Sequence, residues 1–191
     1  GPVFEPGFSF NVPTQEAYDM FTEDDIRREP SILDIEAWAA ETGATYAEGY
    51  KHTGYFNRKY LPRENDNVGD ANLTQPNNYR SIRYADVLLM AAEALNRGGI
   101  DDSEARTYLN EVRERAGLDG VDAAGNALTE IIYEERRKEL VGEGHRFFDL
   151  VRTGRAADNI EGFTAGKNEL FPIPLEEIEF SQGNWEQNPG Y

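Results

Sequence analysis

The stretch EERRKELVGEGHRFFDL, residues 134–150, sets four Arg/Lys, five Asp/Glu and a histidine into what reads as one helix, from near Thr129 to about Arg152. Such charge density serves either chemistry or the locking of helices. On a wheel of 3.6 residues per turn, Ile132, Arg136, Leu140 and Phe147 fall on or near one apolar face, so Arg136 points inward while its neighbours face solvent. A buried guanidinium needs a carboxylate. The expected donors of that carboxylate are Asp86 and Glu93, seven residues apart and therefore on one stripe of an earlier helix. Either Arg136 or Arg137 is expected to pair with one of them, clamping the two helices. Catalysis by these carboxylates is disfavoured, because acidic pairs without a nucleophile or metal motif are weak grounds for an active site. His145, beside Arg146 and Asp149, reads as a packed, hydrogen-bonded histidine.

Outward from this motif the helical pattern continues. In RYADVLLMAAEALNRGG, from Arg83, the residues Tyr84, Val87, Leu88, Ala91, Ala94 and Leu95 follow the spacing of one face, and Gly98 supplies the stop. Asp101, Asp102 or Ser103 can cap a second helix with the face Ala105, Tyr108, Leu109, Val112 and Ala116, ending at Gly117. Two helices joined this tightly predict an antiparallel hairpin of tetratricopeptide type. The predicted fold is therefore mostly α: one domain over 1–191 holding the TPR-like hairpin and a further packed helix, with long irregular loops and room for a small β-hairpin. Within it, 1–45 carries irregular chain and short helices broken at Pro30, 46–78 a hairpin and loop, 79–157 the helical core, and 158–191 an extended C-terminal segment.

Residues 46–61, YAEGYKHTGYFNRKYL, are dense in aromatics with turn points at Gly49 and Gly54. Tyr55 and Tyr60 read as packing residues, whereas Trp38, Tyr50 and His52 are the better candidates for stacking on a ligand. DNVGD, residues 66–70, lacks the full spacing and closing Glu of a calcium loop and reads as a turn. GFTAGKN, from Gly162, falls one residue short of a phosphate loop. No metal and no cofactor is expected.

The 36 acidic against 19 basic residues give a net charge of -17, which repels a phosphate backbone and excludes nucleic acid as a partner. Fifteen of the basic residues are arginines, suited to fixed, bidentate carboxylate pairing. Such a surface suggests a halophilic source and a fold that gains stability with salt. The absence of cysteine removes disulfides, thiol nucleophiles and Cys-bound zinc together. No uninterrupted apolar run is long enough to span a bilayer.

IRYADVLLMAAEALN, YLNEVRERAGL, IYEERRKELVGEGHRFFDLVRTG and LFPIPLEEIEFSQGNWEQNPGY stand in the order and spacing of the C-terminal half of the SusD/RagB family, nutrient-binding outer-membrane lipoproteins of Bacteroidetes. TGYFNRKYLP resembles the family's segment ahead of the first of these helices. Phe147 occupies a position where the family usually carries Trp. The resemblance implies a non-catalytic protein that is lipid-anchored at the cell outer membrane through an anchor upstream of this chain. It implies capture of oligosaccharides, or peptides, for a TonB-dependent transporter. The ligand pocket in such proteins is built from variable loops, so no ligand residue transfers by motif. The rival readings are a helical-repeat scaffold for a protein partner and, third, a glycan hydrolase.

Overall fold

The computed structural model describes residues 11–49, 52–60 and 78–191. The sequence reads as one domain, but the chain falls into two compact units, Gly1–Glu143 and Gly144–Tyr191. In the first unit, α1 (Gln15–Asp19), α2 (Arg28–Ser31), β1 (Ile32–Asp34), α3 (Ile35–Thr42) and β2 (Tyr55–Asn57) precede three long helices, α4 (Tyr84–Arg97), α5 (Asp102–Arg115) and α6 (Gly125–Glu139). Among the described residues no helix is long and apolar enough to cross a membrane.

The hairpin forms where the sequence places it. Asp101 caps α5, its carboxylate accepting from Ser103 N at 2.8 Å and Glu104 N at 3.0 Å, and Gly117 ends that helix with φ +80°. Leu89, Ala92, Ala105, Leu109, Leu128 and Ile132 are fully buried together, and Val112 nearly so. At about 25 cal/mol per Å² of apolar surface, this core is the main driving force of the unit.

Three expectations are corrected. The inner face of α4 is rotated: Ala85, Asp86, Leu88, Leu89, Ala92, Glu93 and Asn96 are buried, whereas Tyr84 is 68% and Val87 45% exposed. Buried polar anchors set that rotation. Asp86 meets Arg136, and Asn96 donates to Asp102 Oδ1 at 2.7 Å and Gly125 O at 3.1 Å while accepting from Thr129 Oγ1 at 2.5 Å. Second, the helix does not run from Thr129 to Arg152. It stops at Glu139, and Gly142 (φ +73°) and Gly144 (φ +86°) turn the chain before a separate helix, α7 (Arg146–Arg152). Third, β2 pairs not within 46–61 but with β1, antiparallel, with Leu33 opposite Phe56. Ile35 N donates to Gly54 O at 3.0 Å and Arg58 N to Ser31 O at 2.9 Å, extending the ladder at both ends. Pro30 lies inside the single turn of α2, which gives way directly to β1.

The second unit holds α7, α8 (Ala156–Asn159) and α9 (Leu175–Phe180), so residues 158–191 are folded back rather than extended. Gln187 ties this return, accepting from Ile173 N at 2.7 Å and donating to Ile173 O at 2.9 Å. Tyr191 Oη donates to Leu170 O at 2.9 Å, and the Lys167 ammonium sits 4.7 Å from the Tyr191 ring. Phe147 packs edge-on to Phe148 with ring centroids 5.6 Å apart.

Candidate functional site

Two constellations in the first unit collect polar side chains. The first runs along α6. Glu135, Glu139 and Glu143, at spacings of four, share one stripe and are 1%, 3% and 3% exposed. They do not face solvent as the wheel of residues 134–150 suggests, because cations from four other places in the chain reach them. Arg27 grips Asp25 with two nitrogens, at 2.8 and 2.7 Å, and reaches Glu135 at 2.6 Å and Glu139 at 3.1 Å. Arg113 meets Glu135 at 3.0 Å and Arg115 meets Glu139 at 2.6 Å from the end of α5. Arg83 spans Glu139 and Glu143, each at 2.8 Å, and Lys59 lies 2.6 Å from Glu143.

Burial pushes the Glu139 and Glu143 carboxyls up. Arg83 more than reverses this, with Arg115 and Arg27 on Glu139 and Lys59 on Glu143, so both stay below the usual carboxylate value. Asp25 follows the same pattern: burial raises it and Arg27 pulls it below its ordinary value. Burial lowers the Lys59 ammonium, and Glu143 restores only part of the loss. These carboxylates are held ionised and saturated with donors, the opposite of a poised acid or base.

Arg136, 5% exposed, pairs with Asp86 at 2.7 Å. Glu93 lies 3.2 Å from Arg97, and Arg137 turns outward to Glu16 at 2.5 Å and Glu134 at 3.8 Å. His145 is half-buried at the N-cap of α7 without a side-chain capping bond.

The second constellation is a cleft of about 360 Å³ between α1, α2, β1 and α3, lined among others by Tyr18, Arg28, Glu29, Trp38, Glu41 and Arg58. Local sequence positions each wall. Thr14 caps α1, its Oγ1 accepting from Ala17 N at 3.2 Å, and so presents Tyr18. Asp34 caps α3, accepting from Ala37 N at 2.9 Å, and thereby fixes the helix carrying Trp38 and Glu41. Tyr18 stacks on Tyr55 at 4.5 Å with planes 19° apart, and Tyr55 Oη donates to Gln15 Oε1 at 3.1 Å. On the ring of Tyr18 lies the guanidinium of Arg28, 5.3 Å from its centre. Arg58 pairs with Glu29 at 3.2 Å. An indole beside fixed charged donors and acceptors gives an apolar ring face together with hydroxyl partners, the combination that holds a polar, ring-shaped ligand.

Of the three candidate ligand residues, Trp38 lines this cleft. His52 stands outside its lining, between Tyr46 (5.6 Å) and Phe56 (6.1 Å), and its buried Nε2 has no hydrogen-bond partner among the described residues. Tyr50 and the turn at 66–70 lie outside the described residues. Tyr55 packs on Tyr18, and Tyr60 stacks on Tyr79 at 6.3 Å. Among the described residues no group of three or more His, Asp or Glu is arranged to hold a metal ion. The sequence reading missed Tyr18 and Arg28, which sit in a short-helix region without periodicity.

Comparison with known proteins gives a consistent result. The model of the SusD family matches residues 8–191. SusD-like protein P2 of Formosa agariphila is 32% identical over 97% of this chain and 41% of its own length. A solved laminarin binding SusD-like protein superposes with a TM-score of 0.81 at 44% identity, over 100% of this chain and 40% of that one. Surface glycan-binding protein A from Bacteroides thetaiotaomicron, in complex with laminarihexaose, superposes with a TM-score of 0.76 at 33% identity, over 91% of this chain and 40% of that one. The chain thus spans about two fifths of the length of these proteins.

Proposed function

The chain belongs to the SusD family, and from that premise we propose that it forms part of a surface protein that captures oligosaccharides without chemically altering them. The capture site in this portion is the cleft of Trp38, with the indole stacking on a sugar ring and Arg28, Arg58, Glu29 and Glu41 serving its hydroxyls. The observation that carries this reading is that an aromatic, charge-lined cleft of about 360 Å³ occurs on a chain 44% identical, over its whole length, to a laminarin binding SusD-like protein. The saturated carboxylates along α6 offer no acid, base or nucleophile, which speaks against the hydrolase reading.

The parent protein is lipid-anchored at the outer membrane and passes its ligand to a TonB-dependent transporter; peptides are the alternative cargo. Calorimetric titration of laminarihexaose, maltohexaose and a mixed hexapeptide pool into the chain tests this reading. A β-linked glucan that binds with a micromolar-to-millimolar Kd, and loses about tenfold or more in Trp38→Ala, is the expected result, since the indole supplies the large apolar contact face of the cleft. Failure of every oligosaccharide to bind, or binding indifferent to Trp38→Ala, would remove the cleft from the account.

A further inference from the structure

Arg28 differs from the other cation of its cleft and from its sequence neighbour. The chain carries 36 acidic residues against 19 basic ones, so a carboxylate is within reach of almost any guanidinium. Its sequence neighbour Arg27 meets three of them, and Arg58, in the same cleft, meets Glu29. Arg28 meets none among the described residues; its only side-chain partner is the face of Tyr18. Two of the nearby acids are occupied elsewhere: Glu29 holds Arg58, and the Asp34 carboxylate caps α3.

The ring beneath Arg28 is itself fixed, because Tyr18 stacks on Tyr55 and Tyr55 is tied to Gln15. Arg28 lines the cleft, so its fork of donors is available to what enters it. A half-buried guanidinium that is immobilised yet unpaired has lost hydration without gaining a counter-charge, and an anionic oxygen group supplies one in bidentate geometry. Glu41 lines the same cleft with no partner among the described residues and is left to accept from hydroxyls.

Building on the glycan reading above, we infer that the cleft is specific for an oligosaccharide bearing an acidic substituent, a carboxylate or a sulfate ester, which Arg28 receives while the adjoining ring stacks on Trp38. The net charge of -17 restricts the ligand to isolated acidic groups, since a continuous polyanion would be repelled by the rest of the surface.

The test is calorimetric titration of the chain, and of Arg28→Gln and Arg28→Lys, with three matched probes: laminarihexaose, laminarihexaose oxidised to one C6 carboxylate, and laminarihexaose carrying one sulfate ester. In about 50 mM salt, one of the two acidic probes binds roughly tenfold tighter than the neutral parent. That ratio falls to about one in Arg28→Gln, is partly kept in Arg28→Lys, which retains charge without the fork, and shrinks in about 1 M salt. The larger ratio of the two acidic arms identifies whether carboxylate or sulfate is the natural group. Equal binding of all three probes by the unmutated chain, or a preference for the acidic probe that survives Arg28→Gln, overturns the inference and leaves the glycan reading standing. If none of the three binds, both fall together.

Discussion

The stripe along α6 and the cleft beside α3 are built from the same residue types and differ in how completely their charges are matched. Along α6, Asp25, Glu135, Glu139 and Glu143 are shared among Arg27, Arg83, Arg113, Arg115 and Lys59, all within 3.1 Å. In the cleft, Arg58 and Glu29 satisfy each other while Arg28 and Glu41 do not. Saturated charge fixes helices, and unsaturated charge on a fixed frame is the feature on which the proposed ligand site rests. The density of ionisable residues in a motif is therefore a poor guide to chemistry; the degree of matching is the better one.

The largest break in this contrast comes from acid. Asp25, Glu139 and Glu143 titrate below their ordinary values in the folded chain, so between folded and ordinary values the unfolded chain binds more protons. Their stabilisation is complete above the ordinary carboxylate pKa of about 4 and is lost as pH falls through the lower folded values. Thermal unfolding followed by circular dichroism should show a Tm that is flat from about pH 5 to 7 and drops steeply below about pH 4. A Tm that rose on acidification would mean the carboxylates repel more than they bind.

Next in size is Arg27→Met, which leaves Asp25 without its bidentate partner and two buried glutamates with one cation fewer. Urea unfolding should give a loss of about 3–5 kcal/mol. A loss under about 1 kcal/mol would place the stripe among dispensable surface pairs. Gly142→Ala follows: the residue has φ +73°, and an added Cβ would lie 2.5 Å from Asn57 Nδ2, which donates to Gly142 O at 2.9 Å. The expected cost is about 1–3 kcal/mol, with β2 loosened. Arg137→Gln marks the small end, because its partner Glu16 is 76% exposed on the side chain; a change within about 1 kcal/mol is expected, and a larger one would extend the saturated stripe to the surface.

How much of this was legible in the sequence follows from range. The hairpin was readable because helical periodicity acts over one or two turns; the cap was narrowed only to Asp101, Asp102 or Ser103, and the clamp only to Arg136 or Arg137 with Asp86 or Glu93. Glu135, Glu139 and Glu143 also stood at a readable spacing of four, yet their partners Arg27 and Lys59 arrive from segments whose folding no local pattern fixes, and Arg83 from a helix end whose docking periodicity alone does not give. The two glycines at 142 and 144 were visible signals for a helix stop and were outweighed by the charge pattern around them. The strand pairing of Leu33 with Phe56 spans a gap that sequence alternation cannot bridge, so it read as a local hairpin. Trp38 was picked as an exposed-type aromatic; Arg28 was not, because its distinction is the lack of a partner, which only the fold reveals.

Hydrogen exchange with and without saturating laminarihexaose tests the central claim most directly, because it reads both regions in one experiment. The account predicts that peptides covering 125–139 exchange slowest in the free chain and do not respond to the ligand, while peptides covering 28–42 gain protection of about tenfold when it binds. Protection appearing in 125–139 with 28–42 unchanged would contradict it, for the charged helix would then be the site and the cleft mere surface.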